Sequence, residues 1–598
     1  MDLSFLTLGV VGASLALYLF IAVRARALGT RDFYVAGGKV PALLNGMATA
    51  ADWMSAASFI SLAGVIAFGG FDASVYLVGW TGGYVLLAVL LAPYLRKCGT
   101  LTVPSFLGER YGSPAARALA VLCVLLVSGV YAAGQMHGVG IVFSRFLGVD
   151  LTTGVLLGML VVMITAGVGG MKAVTYTQVA QYSVVVVAYT VPAAFLAFSL
   201  TGVPVPQLAF GAEVTAPGPG HGLYLLDALD TVLQDLGFAA YTRPGRSTLD
   251  LVAVVLALMV GTASLPHILV RFFTVPSVRD ARRSVGWTLI FIALLYTTVP
   301  AVGAMARYTL TTTIQQGTIG DPQANLSYAA RPDWFRHWER TGLLVVEDRN
   351  GDGRIQYYND RDPIMQRRAE HLGWRGNELT RIDPDILVLA TPEIAGLPDW
   401  VGALVAAGAV AAALSTASGL LMVMASALSH DLLKGVWFPA LSDRAEIRAG
   451  RLATLGAVIG AGLLGLHPPG AVAEVVALAF GLSAATLFPA LVFGVFAPSM
   501  NRQGIVAGMT VGLVFTVGYL LIFKGVVMAP LRENSAAHWL LGISPEGIGS
   551  VGMLLNTTVA LVVARLTPSP PEALRRKVRD LRTPRAIGTP STRWRGVP

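Results

Sequence analysis

A single full charge, Asp52, stands near the middle of the otherwise apolar stretch 41–70, PALLNGMATAADWMSAASFISLAGVIAFGG, with Thr49, Ser55 and Ser58 around it. A carboxylate at the centre of a membrane helix costs about 2.5–3.5 kcal/mol on insertion scales, so it marks a partner or an ion. Two other stretches carry oxygen in apolar surroundings. Gly261-Thr262-Ala263-Ser264-Leu265-Pro266 interrupts the run 249–274, and its Pro removes a backbone hydrogen bond and clashes with the preceding turn. Ser415, Thr416 and Ser418 cluster in AAALSTASGLLMVMASALS, 411–429. A sodium ion needs hard oxygens, which unwound backbone supplies as carbonyls and a neighbouring helix as hydroxyls. Ser415 and Thr416 point about 100° apart on a helix, so they reach one ion only from a helix edge. Two plainer readings compete: back-bonding of each hydroxyl to the carbonyl one turn earlier, and, for 41–70, a small-residue helix contact.

The elements that must position these groups are membrane spans. Of 598 residues 55% are hydrophobic and 13% charged, against about 25% charged in soluble domains. Runs long enough to cross a bilayer fall at 5–23, 41–70, 73–95, 118–147, 152–168, 173–201, 249–274, 285–308, 397–428, 452–467, 471–497, 504–525 and 546–566. Thirteen spans put the termini on opposite faces. Placing Arg24, Arg26, Arg31, Arg96, Lys97, Arg279, Arg282, Arg283 and the tail 567–598 on one side leaves the short connectors opposite almost free of Lys and Arg. The positive-inside rule makes that side cytoplasmic, with the N-terminus outside and the C-terminus inside the plasma (inner) membrane. The first run has its Arg residues after it, which reads as a retained anchor over 1–24 and not a signal peptide.

The net charge of +9 is thus an orientation signal and implies no nucleic-acid partner; the lipid bilayer is the solvent. Cys98 and Cys123 form neither a disulfide scaffold nor a metal site. The interrupted stretches 41–70 and 249–274 each open a set of five spans. Paired broken spans in corresponding halves point to an inverted-repeat transporter with its site at the midplane. The organisation is an anchor 1–24, a first repeat 41–201, an extracytoplasmic loop 202–248, a second repeat 249–497 with an insertion 309–396, two last spans 504–566 and the basic tail 567–598.

The runs DFYVAGGKVPALLNGMATAADWMSAASFISLAGVIAFGG (32–70), GTASLPHILVRFFTVPSVRDARRSVGWT (261–288) and DILVLATPEIAGLPDWVGALVAAGAVAAALSTASGLLMVMASALSHDLLK (385–434) resemble the sodium:solute symporter family, most of all its acetate-permease branch. The resemblance implies an all-α polytopic protein with the leucine-transporter-type five-plus-five inverted repeat. It implies a sodium site made by the carbonyls of Ala50, Trp53 and Ala412 and the hydroxyls of Ser415 and Thr416. Asp52 matches a position beside that site and is expected to tune it. Residues 261–266 resemble the family's substrate-facing break, giving Gly261, Thr262 and Ser264 as substrate residues.

A half-helix start favours a small carboxylate, and Ser264 before Pro266 resembles such a start. Tyr131 and Gln135, one turn apart, either close the pocket with polar tips or bridge helices. His267 reads as a proton or carboxylate partner or, on the plainer reading, a packed residue; Arg271 reads as a snorkelling residue at the membrane edge. In the long insertion, DRNGDGRIQYYN (348–359) is patterned like a calcium loop, with Asp348, Asn350, Asp352, the backbone carbonyl of Arg354, and Asn359 where a bidentate Glu is usual. The enlarged loops suggest a variant subfamily with a small membrane partner.

These features point to sodium-coupled symport of acetate or a related short monocarboxylate by alternating access. The alternatives are a transporter-like nutrient sensor, or symport of another small organic solute driven by Na+ or H+. No nucleophile–base pair or metal cluster indicates an enzyme.

Overall fold

The computed structural model describes residues 3–321, 323–525 and 529–583; the tail beyond 583 lies outside the described residues. Its breaks follow from local chemistry. α1 (Leu3–Arg24) precedes α2 (Ala42–Trp53), which starts after Pro41 and stops at Met54, where the backbone leaves helical values. A π-helical turn, Ala57–Ser61, leads into α3 (Leu62–Ala73), bent 61° from α2. α4 (Val75–Leu90) and α5 (Ala92–Cys98) bend by 48° across Leu91, with Pro93 in the first turn of α5. α6 (Val103–Tyr111) and α7 (Pro114–Leu147) are capped by the hydroxyls of Thr102 and Ser113, which satisfy amides that a helix start leaves unpaired. α8 (Leu151–Thr201) is broken at Gly170, inside the connector expected at 169–172.

α9 (Thr248–Ala263) ends at Ser264, and two short turns, Pro266–Leu269 and Arg271–Thr274, complete the second broken span. Then come α10 (Val278–Tyr296), α11 (Val299–Ile314), α12 (Asp399–Ser426), α13 (Asp443–Gly465), α14 (Val472–Phe496), α15 (Arg502–Phe523), α16 (Ile548–Leu566) and α17 (Glu572–Arg582). Among the described residues ten helices are long and apolar enough to cross a membrane, or twelve with the two bent pairs. With the shorter apolar helix Leu151–Ile164, every predicted span has its counterpart.

α12 is the most deeply buried of these spans and packs against α8, α7, α1 and α2; α1 is the most exposed. The order suits a bundle whose polar working surfaces face inward and whose rim faces lipid.

The two insertions join into one cap. β1 (Leu344–Val346) and β2 (Leu379–Ile382) form an antiparallel pair, and the Asn359 amide donates to the Leu236 carbonyl of the other insertion at 2.9 Å. The guanidinium of Arg307, at the cap end of α11, sits 4.7 Å from the Phe68 ring and 5.2 Å from those of Phe238 and Tyr357. These cation–π contacts tie α3 to both insertions. On the opposite, Arg-rich face, Lys97 Nζ donates to the carbonyls of Asp580, Leu581 and Thr583 at 2.8, 2.9 and 2.6 Å, closing the end of α17.

Candidate functional site

The carbonyls at the end of α2 carry the negative end of its dipole and lack helix partners beyond the last turn. They face α12. The Ser415 hydroxyl lies 2.8 Å from the carbonyls of both Ala51 and Ala412. That of Thr416 lies 2.9 Å from the Asp52 carbonyl and 3.5 Å from that of Ala412. Five oxygens, the carbonyls of Ala51, Asp52 and Ala412 and the two hydroxyls, thus converge at one point where a hard cation could be held. The back-bonding and ligand readings coexist here, because each hydroxyl faces both its own helix and α2. The carbonyls expected from Ala50 and Trp53 are engaged elsewhere. That of Ala50 accepts the Met54 amide at 2.8 Å, closing the last turn, and that of Trp53 accepts the Ser58 hydroxyl at 2.9 Å. The helical phase of α2 brings Ala51 and Asp52 round to α12 instead.

Asp52 has a partner at its own depth. Its Oδ2 accepts from Arg271 Nε at 2.7 Å and Nη2 at 2.6 Å, and its Oδ1 accepts from Gln178 Nε2. Both Asp52 and Arg271 are completely buried. Arg271 also donates to Thr175 Oγ1 at 3.0 Å and to Gln178 Oε1, and Gln178 donates to the Ser415 carbonyl at 2.8 Å. Arg271 therefore does not snorkel: it follows the break by only one short turn, Pro266–Leu269, and stays at the level of α2's end. Gly419 gives the carboxylate room, since a Cβ there would lie 2.7 Å from Asp52 Oδ1. Thr175 and Gln178 were missed in the sequence; the two amides, Gln178 and Gln181, in the apolar span 173–201 were the available signal.

Beside this junction lies a cavity of only about 10 Å³, room for about one water, walled by Trp53, Trp80, Tyr131, His267, Tyr296 and Phe480. Tyr131 packs edge-on against His267, ring centres 5.2 Å apart. Gln135 sits behind the wall, its Oε1 accepting the Ala56 amide at 2.9 Å. Trp53 Nε1, Trp80 Nε1, Gln135 Nε2, Ser55 Oγ and both His267 nitrogens are buried without a hydrogen-bond partner. Most are N–H donors. Gly261, Thr262 and Ser264 do not line the void. They complete α9, where Gly261 abuts the Phe480 backbone and the Ser264 hydroxyl lies 2.8 Å from that of Ser483. The chain turns only at Leu265, so the second break presents Leu265, His267 and Ile268.

The calcium-loop residues do not converge. Asp348 accepts the amides of Gly351 and Gly353, Asn350 that of Asp352, and Asp352 that of Arg354. The Arg354 backbone bridges to Ser327, and Asn359 turns away to donate to the Gly237 carbonyl at 2.8 Å. Glu378 braces the loop by accepting the amides of Arg349 and Gln356. The oxygens are spent on the loop's own turns, and the twelfth position is committed to joining the two insertions.

At the cap end, Asp385 Oδ2 accepts the Val472 amide at 2.9 Å and the Ser61 hydroxyl accepts that of Ala473 at 2.9 Å. The turn 384–386, α3 and the start of α14 thus meet at one junction. Burial, reinforced by the Asp383 charge, pushes the Asp385 carboxyl up to about 8. A carboxyl raised in the fold contributes stability that is complete below its unfolded value of about 4 and lost as pH rises through the folded one. The melting temperature of the purified protein is expected to fall between about pH 4 and pH 8, and Asp385→Asn to flatten that fall. An unchanged slope in the variant would remove Asp385 from this role.

The sodium:solute symporter family model matches residues 33–319 and 387–512. An uncharacterized symporter of Cupriavidus necator is 35% identical, the alignment covering 95% of this chain and 92% of that protein. One of Bacillus subtilis is 28% identical over 91% and 93%. Among solved structures, a Na+-coupled sialic acid symporter superposes with a TM-score of 0.66 at 15% identity, over 94% of this chain and 98% of that one. The helical, broken-span architecture is that of the leucine-transporter-fold symporters.

Proposed function

The chain belongs to the sodium:solute symporter family, and from that premise we propose that it couples Na+ entry to uptake of acetate or a related short monocarboxylate. As a member it is a membrane-embedded secondary active symporter of a small solute. The Na+ position we propose is the five-oxygen junction of Ala51, Asp52, Ala412, Ser415 and Thr416. The substrate class rests on the adjacent void. Its unpartnered groups include the N–H donors of Trp53, Trp80 and His267, and its one lining acid, Asp52, is neutralised by Arg271. Buried N–H donors in want of an acceptor suit a carboxylate, and the aromatic walls suit a short alkyl group once the cavity widens. The orientation that fits uptake puts the insertion cap outside and the Arg-rich face with α17 inside. Alternating access then follows from rocking of the two repeats, 41–201 and 249–497, about the fixed site.

The test is labelled acetate entry into proteoliposomes under an inward Na+ gradient, with propionate and pyruvate as competitors. Accumulation that collapses with the gradient, and is competed by short monocarboxylates, is expected. Absence of gradient-driven uptake for every short monocarboxylate overturns the substrate assignment.

A further inference from the structure

A fully buried carboxylate and a fully buried guanidinium lie beside the proposed Na+ junction, and neither ligates it. Asp52 Oδ2 is held twice by Arg271 and Oδ1 by Gln178. The same guanidinium reaches Thr175 and Gln178, so its contacts run from the second break to α8 while Asp52 belongs to α2. Isolated, either charge would be costly at this depth; paired and hydrogen-bonded, they are tolerated. Their location gives the pair a function. Asp52 Oδ1 lies against Gly419, one turn along α12 from Ser415 and Thr416, and Gln178 links the carboxylate to the Ser415 carbonyl. Without Arg271, the carboxylate would stand at the edge of the five-oxygen junction as a further hard, charged ligand. That is the environment in which a second small cation would settle.

We propose that Arg271 is a tethered cation that fills the place a second Na+ would take at Asp52, fixing the cycle at one Na+ per monocarboxylate with no net charge moved. The inference rests on the symport reading above. An unpaired Asp52 would have to capture a cation from solution at every turn. A side chain already there does the same neutralisation without being transported. Driving force then comes from the Na+ and substrate gradients alone, and the membrane potential contributes nothing.

The test uses the full-length protein in proteoliposomes with a Na+ gradient and a potassium–valinomycin diffusion potential. Wild-type acetate accumulation is expected to be unchanged by about 100 mV, inside negative, whereas one net charge per cycle would raise it about 50-fold. Na+ activation is expected to be hyperbolic. Arg271→Lys keeps both properties. Arg271→Gln frees Asp52 for a mobile cation, so uptake becomes potential-driven, with Na+ activation turning sigmoid where that cation is Na+. Asp52→Asn combined with Arg271→Gln returns it to potential independence. Potential-driven uptake by the wild type overturns the proposal, as does potential-independent uptake by Arg271→Gln. Should Arg271→Gln prove misfolded or inactive, wild type and Arg271→Lys decide. Absence of any Na+-driven uptake rejects the symport reading instead.

Discussion

Ser415→Ala combined with Thr416→Val raises the Na+ concentration for half-maximal uptake by about 100-fold or more. The two hydroxyls are the side-chain part of the junction, facing the carbonyls of Ala51, Asp52 and Ala412. An interaction with a charged partner contributes about 1.5–3 kcal/mol, so losing two costs about 3–6 kcal/mol of ion binding, at tenfold per 1.4 kcal/mol. Their ground-state hydrogen bonds contribute less, about 1 kcal/mol each, and the fold should survive. Sodium titration of initial uptake rates, with a melting curve as control, separates the two effects. A half-saturation shift under threefold in a folded double variant would move the Na+ site away from α12.

Gly64→Ala lowers the maximal uptake rate at least tenfold while substrate binding stays within about threefold of wild type. A Cβ at position 64 would lie 1.9 Å from the Pro384 carbonyl oxygen and 2.7 Å from its carbon. Both sides of that contact are backbone, so neither can turn aside as a side chain would, and overpacking of this kind costs about 1–3 kcal/mol or more. The clash falls where α3 meets the turn 384–386, which is itself bonded to the start of α14. It penalises the closed arrangement and spares one in which α3 has swung away. Equilibrium binding compared with transport rate reads this directly. Equal loss of binding and rate would mean that Gly64 matters only for folding.

The architecture was legible because each apolar run is long and its interruptions are chemically plain: Pro266 in one break and Gly170 in the short connector inside α8. Ser415 and Thr416 were legible as two hydroxyls in a buried Ala-rich run. Which α2 carbonyls face those hydroxyls was not, since telling Ala51 and Asp52 from Ala50 and Trp53 needs the helical phase at the end of α2. Arg271 was misread because distance along the sequence was taken for depth, and a broken span does not advance evenly. The donors of the void were hidden in Trp53 and Trp80, residues indistinguishable in sequence from ordinary packing aromatics. The loop 348–359 shows the converse: ligand-type spacing also arises when Asp and Asn side chains brace their own turns.

Lys97 and the carbonyls it holds on α17 are separated by as many as 486 residues. A ribosome adding about 5–20 residues per second produces those carbonyls roughly 25–100 s after Lys97. The first helices must therefore settle in the bilayer well before this contact exists. Closing so long a loop adds little entropic cost per doubling of its length, but it cannot begin before synthesis nears its end. Docking of α17 is consequently a late assembly event, one that seals the Arg-rich face only after the spans between have been threaded.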